Sequence, residues 1–214
     1  MLIDFQQIIK TYSMSITGVI HVGAHFGQEY ASYRAANIRD IVFIEPCKNA
    51  FRQLVKNVGL EPGVICINSA CGLGKNKALM HVEYANKGMS NSLLKPQLHL
   101  EQYPDIKFQG MEEVDIDTLD NLMTNSYSEF EIFNTLVMDV QGYEHHVLRG
   151  AIGVLHCIDY IYTEVNRAEL YEGCARVETL DDFLSEFTRA HTNWGGKTWG
   201  DALYIRKSLM VKSV

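Results

Sequence analysis

Residues 18–27 read Gly-Val-Ile-His-Val-Gly-Ala-His-Phe-Gly. The run Gly18-Val19-Ile20-His21-Val22 is short, apolar and closed by Gly23, the pattern of a buried strand that turns sharply into a helix. That helix is expected from about Gln28 to Ala36. Downstream, Ile41-Val42-Phe43-Ile44 repeats the buried-strand pattern and is closed by Glu45-Pro46. The proline stops the strand, and Phe51, Leu54 and Val55 mark the next helix. Val64-Ile65-Cys66-Ile67-Asn68 is the third strand. Upstream, Leu2 to Tyr12 carries Ile3, Ile8 and Ile9 at roughly helical spacing and reads as a leading helix. Buried strands alternating with helices at this spacing call for a parallel sheet with helices on both faces and right-handed crossovers.

Ser69 to Thr135 is longer than one crossover requires, and long connections are often functional. Ala78 to Glu83 reads as an extra strand, Ser90 to Leu100 turns from polar to Leu-rich, and Val114-Asp115-Ile116-Asp117 alternates before a helix start at Thr118-Leu119-Asp120. Residues 72–113 are therefore expected to form a lid or substrate region inserted in a single domain spanning 1–214. Tyr84, His99 and Tyr103 within it are candidates to stack on a ring. The sheet resumes at Thr135-Leu136-Val137-Met138, ends in Asp139, and leads to a helix from Tyr143 to Leu148. Asp159 to Thr163 is the next strand, ending at Glu164. A helix from about Leu180 to Phe187 follows. His191–Trp194 and Ala202–Ile205, separated by Gly195-Gly196, close the chain as a hairpin on the sheet edge.

Composition narrows the function. The chain has 214 residues with 47% apolar and 21% charged side chains, so it can bury one substantial core and is neither disordered nor fibrous. No apolar run approaches the roughly 18–20 residues of a membrane span. The first ten residues lack a basic stretch followed by an apolar core, so no secretion signal is expected. The net charge of −7 comes with scattered lysines and arginines and no basic patch, which disfavours a nucleic-acid partner. Five cysteines (Cys47, Cys66, Cys71, Cys157, Cys174) show no paired metal or redox spacing, and their odd number argues against a closed disulfide framework. A cytoplasmic setting is the expectation.

Ligands of open α/β sheets bind beyond the carboxyl ends of the strands. Three ends carry informative residues. Gly23 and Gly27 flank a turn at which a backbone can approach a ligand, but they miss the spacing of a dinucleotide fingerprint, which disfavours NAD or FAD. Glu45 stands 22 positions after Gly23, where an acidic side chain can accept both hydroxyls of a ribose. Asp139-Val140-Gln141-Gly142-Tyr143-Glu144 puts a carboxylate and a tight turn at the fourth strand end.

These residues are joined by Asn68-Ser69-Ala70, Ser90-Asn91-Ser92-Leu93, Val114 to Asp120, Val147-Leu148-Arg149-Gly150-Ala151, Thr163-Glu164 and Gly200-Asp201-Ala202-Leu203-Tyr204. In order and spacing the set resembles the FkbM family of methyltransferases dependent on S-adenosyl-L-methionine (SAM), over about residues 18–206. The resemblance implies a three-layer, Rossmann-like class I methyltransferase fold, a seven-stranded, mostly parallel α/β sheet with an antiparallel strand in a terminal hairpin. It implies SAM as cofactor and O-methylation of a hydroxyl on a sugar, glycan or secondary metabolite. Val22, Gly23, Ala24 and Gly27 would pack against SAM, Glu45 with Pro46 would bind its ribose, and Ser69 and Ala70 would lie by the adenine. Asp139, with Val140 and Gln141, would lie near the methionine moiety. Two departures stand out: His21 where many members have Asp, and Gln141 where they have an acidic residue.

An acceptor hydroxyl is a poor nucleophile and benefits from a general base. His25, His145 and Glu164, with Asp139 at the reaction centre, are the catalytic candidates, and His146 neighbours them. Asp139, Glu164 and Asn166 could instead ligate Mg²⁺ in a metal-assisted variant. A non-catalytic SAM- or nucleotide-binding module on the same fold is a further alternative. No metal is assigned.

Overall fold

The computed structural model describes residues 3–59, 61–127 and 129–210; Leu2, at the head of the expected leading helix, lies outside them. Ten strands are formed: β1 (Gly18–Val22), β2 (Asp40–Ile44), β3 (Val64–Ile67), β4 (Ala70–Cys71), β5 (Asn76–Glu83), β6 (Phe108–Asp117), β7 (Thr135–Met138), β8 (Tyr160–Asn166), β9 (Phe187–Trp194) and β10 (Trp199–Arg206). Seven of them make one sheet in the order β3-β2-β1-β7-β8-β10-β9. Every pairing from β3 to β8 is parallel, and only β10 runs antiparallel to its two neighbours.

The central strands are apolar because both faces are covered. Val19, Ile20 and Val22 of β1, like Leu136, Val137 and Met138 of β7, are buried, each contributing about 1.5–3 kcal/mol of hydrophobic stabilisation. One face meets the helices Leu119–Ser126, Glu144–Arg149 and Val177–Phe183 through Leu119, Met123, Val147, Leu148 and Leu180. The other meets Phe5–Thr11, Tyr30–Ala35 and Lys48–Val58 through Phe5, Ile8, Tyr33, Leu54 and Val58. Three layers result.

The chain leaves β1 toward β2 and β3 on one side and returns to β7 on the other. This reversal makes the β1/β7 edge the topological switch point, where the loops splay and a crevice opens beyond the strand ends. Backbone bonds tie it together: Asp139 N–H donates to Val22 O at 3.0 Å, and Gly23 N–H donates to Ile44 O at 2.9 Å.

Residues 72–113 depart from a simple lid loop. With β4 and the end of β6 they build a second, three-stranded sheet in the order β4-β6-β5. Ala70, Met80, Val82, Val114 and Ile116 of this sheet bury against Cys47 and Ala50 at the carboxyl side of the main sheet. Thr118 caps the following helix, its hydroxyl accepting from Asn121 N–H at 3.1 Å.

Of the boundaries that differ from expectation, two have a clear physical reason. The helix placed from Leu180 to Phe187 spans Val177–Phe183, and Phe187 opens β9 instead. Its ring packs into the core under the Arg206 guanidinium, 4.6 Å away, so tertiary burial overrides the helical reading. Strand β8 continues past Glu164 to Asn166 because β10 pairs along its whole length. Among the described residues no helix is long and apolar enough to cross a membrane.

Candidate active site

At the switch point lies an open cavity of about 870 Å³, the solvent in its mouth included. Gly23 forms its floor. Its φ of +82° and a space in which a Cβ would collide with the Asp139 carbonyl oxygen leave glycine as the residue that fits. Val22, Ala24, Pro46, Ser69, Ala70 and Val140 complete the wall. Gly27 does not reach the cavity. It sits behind the turn, where a Cβ would press on Leu54 at 2.7 Å, so it permits helix packing instead of ligand contact.

Glu45 is aimed at this cavity by Pro46, which ends β2 at that point. The residue is only 6% exposed. Its Oε2 accepts from His25 N–H at 2.9 Å and its Oε1 from Cys47 N–H at 2.8 Å. Burial pushes the carboxyl up to about 7 even so, because two backbone donors do not replace the water it has lost. Each oxygen keeps a lone pair for a further donor, which suits a vicinal diol.

His21, in the middle of β1, is buried with its Nδ1 3.0 Å from the Tyr33 hydroxyl. Desolvation lowers its pKa, so a neutral imidazole stands where the resemblance expects a carboxylate. His25 lines the cavity, but its ring is engaged. Its Nε2 lies 2.9 Å from the Lys87 carbonyl, which requires Nε2 to carry the proton. Its Nδ1 then accepts from the Gln28 amide at 2.9 Å. Neither nitrogen is left to take a proton, and His25 instead pins the loop after β5 onto the glycine turn. That loop is wound around buried Glu83, whose carboxylate accepts from Asn86, Gly88 and Ser90 N–H.

At the end of β7, Gln141 holds a left-handed backbone (φ +52°). Its Nε2 donates to Asp139 Oδ1 at 2.7 Å and to Glu164 Oε2 at 3.0 Å, and its Oε1 accepts from the Tyr171 hydroxyl at 3.0 Å. The amide thus joins two carboxylates that an acidic side chain at this position would repel. Glu144 lies beneath, its Oε1 accepting from Val140 and Gly142 N–H at 3.2 Å, and burial followed by the charge of Asp139 pushes it up to about 7. Glu164 is raised well above an ordinary glutamate, first by burial and then by Glu144, Asp139 and Asp201.

Asp139 and Gln141 also border a second cavity of about 720 Å³, lined by Glu164, Asp201, Trp199 and Tyr103 among others. Asp139, Glu164 and Gln141 therefore meet where the two cavities join. His145 lies outside both, its ring edge-on to Phe183 with centroids 5.4 Å apart; His146 is likewise outside, stacked on Tyr143. Among the described residues no group of three or more His, Cys, Asp or Glu side chains is arranged to hold a metal ion, and Asn166 spends its amide on Glu164 at 3.4 Å.

Several contributors were not marked as site residues by the sequence. Gln28, Glu29 and Met89 border the first cavity without belonging to a strand end. Glu83 and Glu144 read as ordinary acidic residues until burial shows that each organises a loop. Trp199 and Asp201 sit in the closing hairpin, and only the antiparallel return of β10 beside β8 brings them to Glu164.

Comparison with known proteins agrees with this fold. The profile of the Methyltransferase FkbM domain matches residues 21–192. The 2-O-methyltransferase NoeI of Sinorhizobium fredii (strain NBRC 101917 / NGR234) is 34% identical over 99 residues, covering 46% of this chain and 40% of that protein. This chain thus matches less than half the length of that curated relative. Among solved structures, the N-methyltransferase NodS of Bradyrhizobium japonicum WM9 superposes with a TM-score of 0.51 over 94% of this chain and 93% of its own, at 10% identity. The Streptococcus pneumoniae putative tRNA (m1A22) methyltransferase Sp1610, in complex with S-adenosyl-L-methionine, gives 0.51 over 95% and 73%, at 12% identity. At such identities these two share the fold with this chain.

Proposed function

The chain belongs to the FkbM methyltransferase domain family, and on that premise we propose that it transfers the methyl group of SAM to a hydroxyl oxygen of a sugar, glycan or secondary metabolite. The observation that carries the reading is the convergence of Gly23, Glu45 and Asp139 on one cavity at the switch point, open to a second cavity at Asp139 and Gln141. The first cavity fits SAM. Glu45 offers paired acceptor oxygens to a ribose, Ser69 and Ala70 border the adenine end, and the Asp139 carboxylate suits the cationic methionine end. When bound, SAM supplies an electrophilic methyl on a sulfonium, open to in-line displacement.

The protein's own task is then alignment and proton removal. Glu164 is the base in this reading. It borders the second cavity, its pKa is raised, and Gln141 and Asn166 fix its two oxygens. With SAM held by Glu45 and Asp139 and supplying the methyl group, Glu164 would take the proton of the acceptor hydroxyl. His25, with both ring nitrogens committed, stabilises the loop over the cofactor site. The insertion 72–113 serves as the wall and lid of the site. A small-molecule or glycan acceptor, not a nucleic acid, agrees with the net charge of −7 and with the carboxylates of the second cavity. A cytoplasmic setting agrees with cysteines that are all unpaired.

Calorimetric titration with SAM and S-adenosylhomocysteine tests the reading. One cofactor per chain is expected, followed by release of S-adenosylhomocysteine when a hydroxylated acceptor is added. Well-folded protein that binds neither compound refutes it.

A further inference from the structure

The second cavity is one-sided in its chemistry. Along one wall stand Asp139, Glu164 and Asp201, the last accepting from the Tyr162 hydroxyl at 2.8 Å. Beside them is an aromatic wall, Trp199 standing two residues from Asp201 on the same face of β10. The Trp199 indole N–H donates to the Tyr103 hydroxyl at 2.7 Å, which holds both rings in place, and His99 lies against Tyr103 and Tyr171 with centroids 5.0 and 5.3 Å away. Among the described residues no lysine or arginine lines the cavity. Its one unmatched polar atom is of another kind: His99 is 4% exposed, and its Nδ1 has no hydrogen-bond partner.

We propose that this cavity is the acceptor subsite, that it takes an uncharged or amine-bearing sugar ring against Trp199–Tyr103 and beside Glu164, and that it rejects rings carrying phosphate or carboxylate. The inference rests on the methyl-transfer reading and adds the charge class of the acceptor. A pyranose has apolar C–H faces that suit an aromatic wall and a rim of hydroxyl donors that suits carboxylates, which only accept. An ammonium group is an equally good donor and carries the complementary charge. A phosphate or uronate brings acceptors and negative charge into a partly buried space that already holds both, with no cation to receive them. His99, kept neutral by burial, offers the ring one further polar contact without altering the charge balance.

The test is label transfer from [methyl-³H]SAM to p-nitrophenyl glycosides at equal concentration. The panel holds neutral hexosides and 6-deoxyhexosides, the glucosaminide, the glucuronide and the glucoside 6-phosphate. SAM affinity is measured alongside. The neutral or amino glycosides that accept label should do so at least tenfold faster than the glucuronide and the 6-phosphate. Trp199→Ala should raise the acceptor KM at least tenfold with SAM affinity unchanged, and Trp199→Phe should restore most of it. Equal labelling of the anionic glycosides overturns the proposal. So does an unchanged KM in folded Trp199→Ala, or SAM binding with no neutral or amino glycoside labelled. Absence of SAM binding in the parent protein is a different result: it brings down the methyl-transfer reading itself.

Discussion

Replacing Glu45 by glutamine puts the cofactor site to its hardest test. The carboxylate holds two backbone N–H groups, of His25 and Cys47, and in the proposed reading its remaining lone pairs receive the ribose hydroxyls. A glutamine has one oxygen, so its amide nitrogen must face either a backbone donor or a ribose hydroxyl. A hydrogen bond to a charged group contributes about 1.5–3 kcal/mol. Losing one such bond to the cofactor corresponds to roughly a ten- to 150-fold increase in Kd. The parent protein should also show a pH signature. Burial holds the Glu45 carboxyl at about 7, above the 4.5 of a free glutamate. Its contribution to the stability of the ligand-free protein is thus full below about pH 4.5 and is lost as pH rises through about 7. Hydroxyl donors favour the ionised form, so binding runs the other way. The ionised fraction climbs from about one tenth at pH 6 to about nine tenths at pH 8, and affinity for S-adenosylhomocysteine should tighten up to about tenfold over that interval. Titration calorimetry at pH 6, 7 and 8 measures both effects, with the melting temperature as control for folding. A folded Glu45→Gln protein whose Kd stays within about threefold of the parent, and whose pH dependence is unaltered, refutes the placement of the ribose on Glu45.

Two other substitutions separate the roles assigned above. Gly23→Ala forces a side chain into a left-handed backbone against the Asp139 carbonyl. It should cost about 1–3 kcal/mol in backbone strain alone and lower the melting temperature by at least about 2–4 °C, with cofactor affinity lost; a melting curve matching the parent's refutes the close approach. His145→Ala removes a ring that reaches neither cavity, so kcat and SAM affinity should stay within about twofold of the parent. A hundredfold loss of kcat would return His145 to the reaction centre.

The legibility of this protein follows the range of the interactions involved. β1, β2, β3 and β7 were readable because a strand buried on both faces must be apolar along its length, and the residue that follows each one must turn. Gly23, Glu45 and Asp139 inherit their place from those turns. The end of the helix at Phe183 was not readable: Phe187 continues a plausible helical spacing, and only the core beneath Arg206 draws it into β9. The second sheet was half readable, since β5 and the end of β6 alternate while their pairing joins residues far apart in the chain. Of the catalytic candidates, the sequence could bring His25, His145, Asp139 and Glu164 only to the neighbourhood of strand ends. Their different situations, with His25 tied to Lys87 and Gln28, His145 turned to Phe183, and Glu164 bridged to Asp139, depend on side-chain directions and on partners from other elements.

The opening stretch, Gly18 to Gly27, shows both sides of that division within ten residues. By itself the sequence determined a buried strand, a tight turn and a helix, because apolar periodicity and glycine are local properties of the chain. It also ruled out the dinucleotide spacing. Which of the two glycines faces the cavity was decided by the tertiary structure. Gly23 meets the end of β7, a strand more than a hundred residues away in the chain, while Gly27 meets the helix Lys48–Val58. The same holds for the second cavity: Trp199 and Asp201 reach Glu164 only because β10 returns antiparallel beside β8. Burial and charge at that point are sums over neighbours that the chain order does not list.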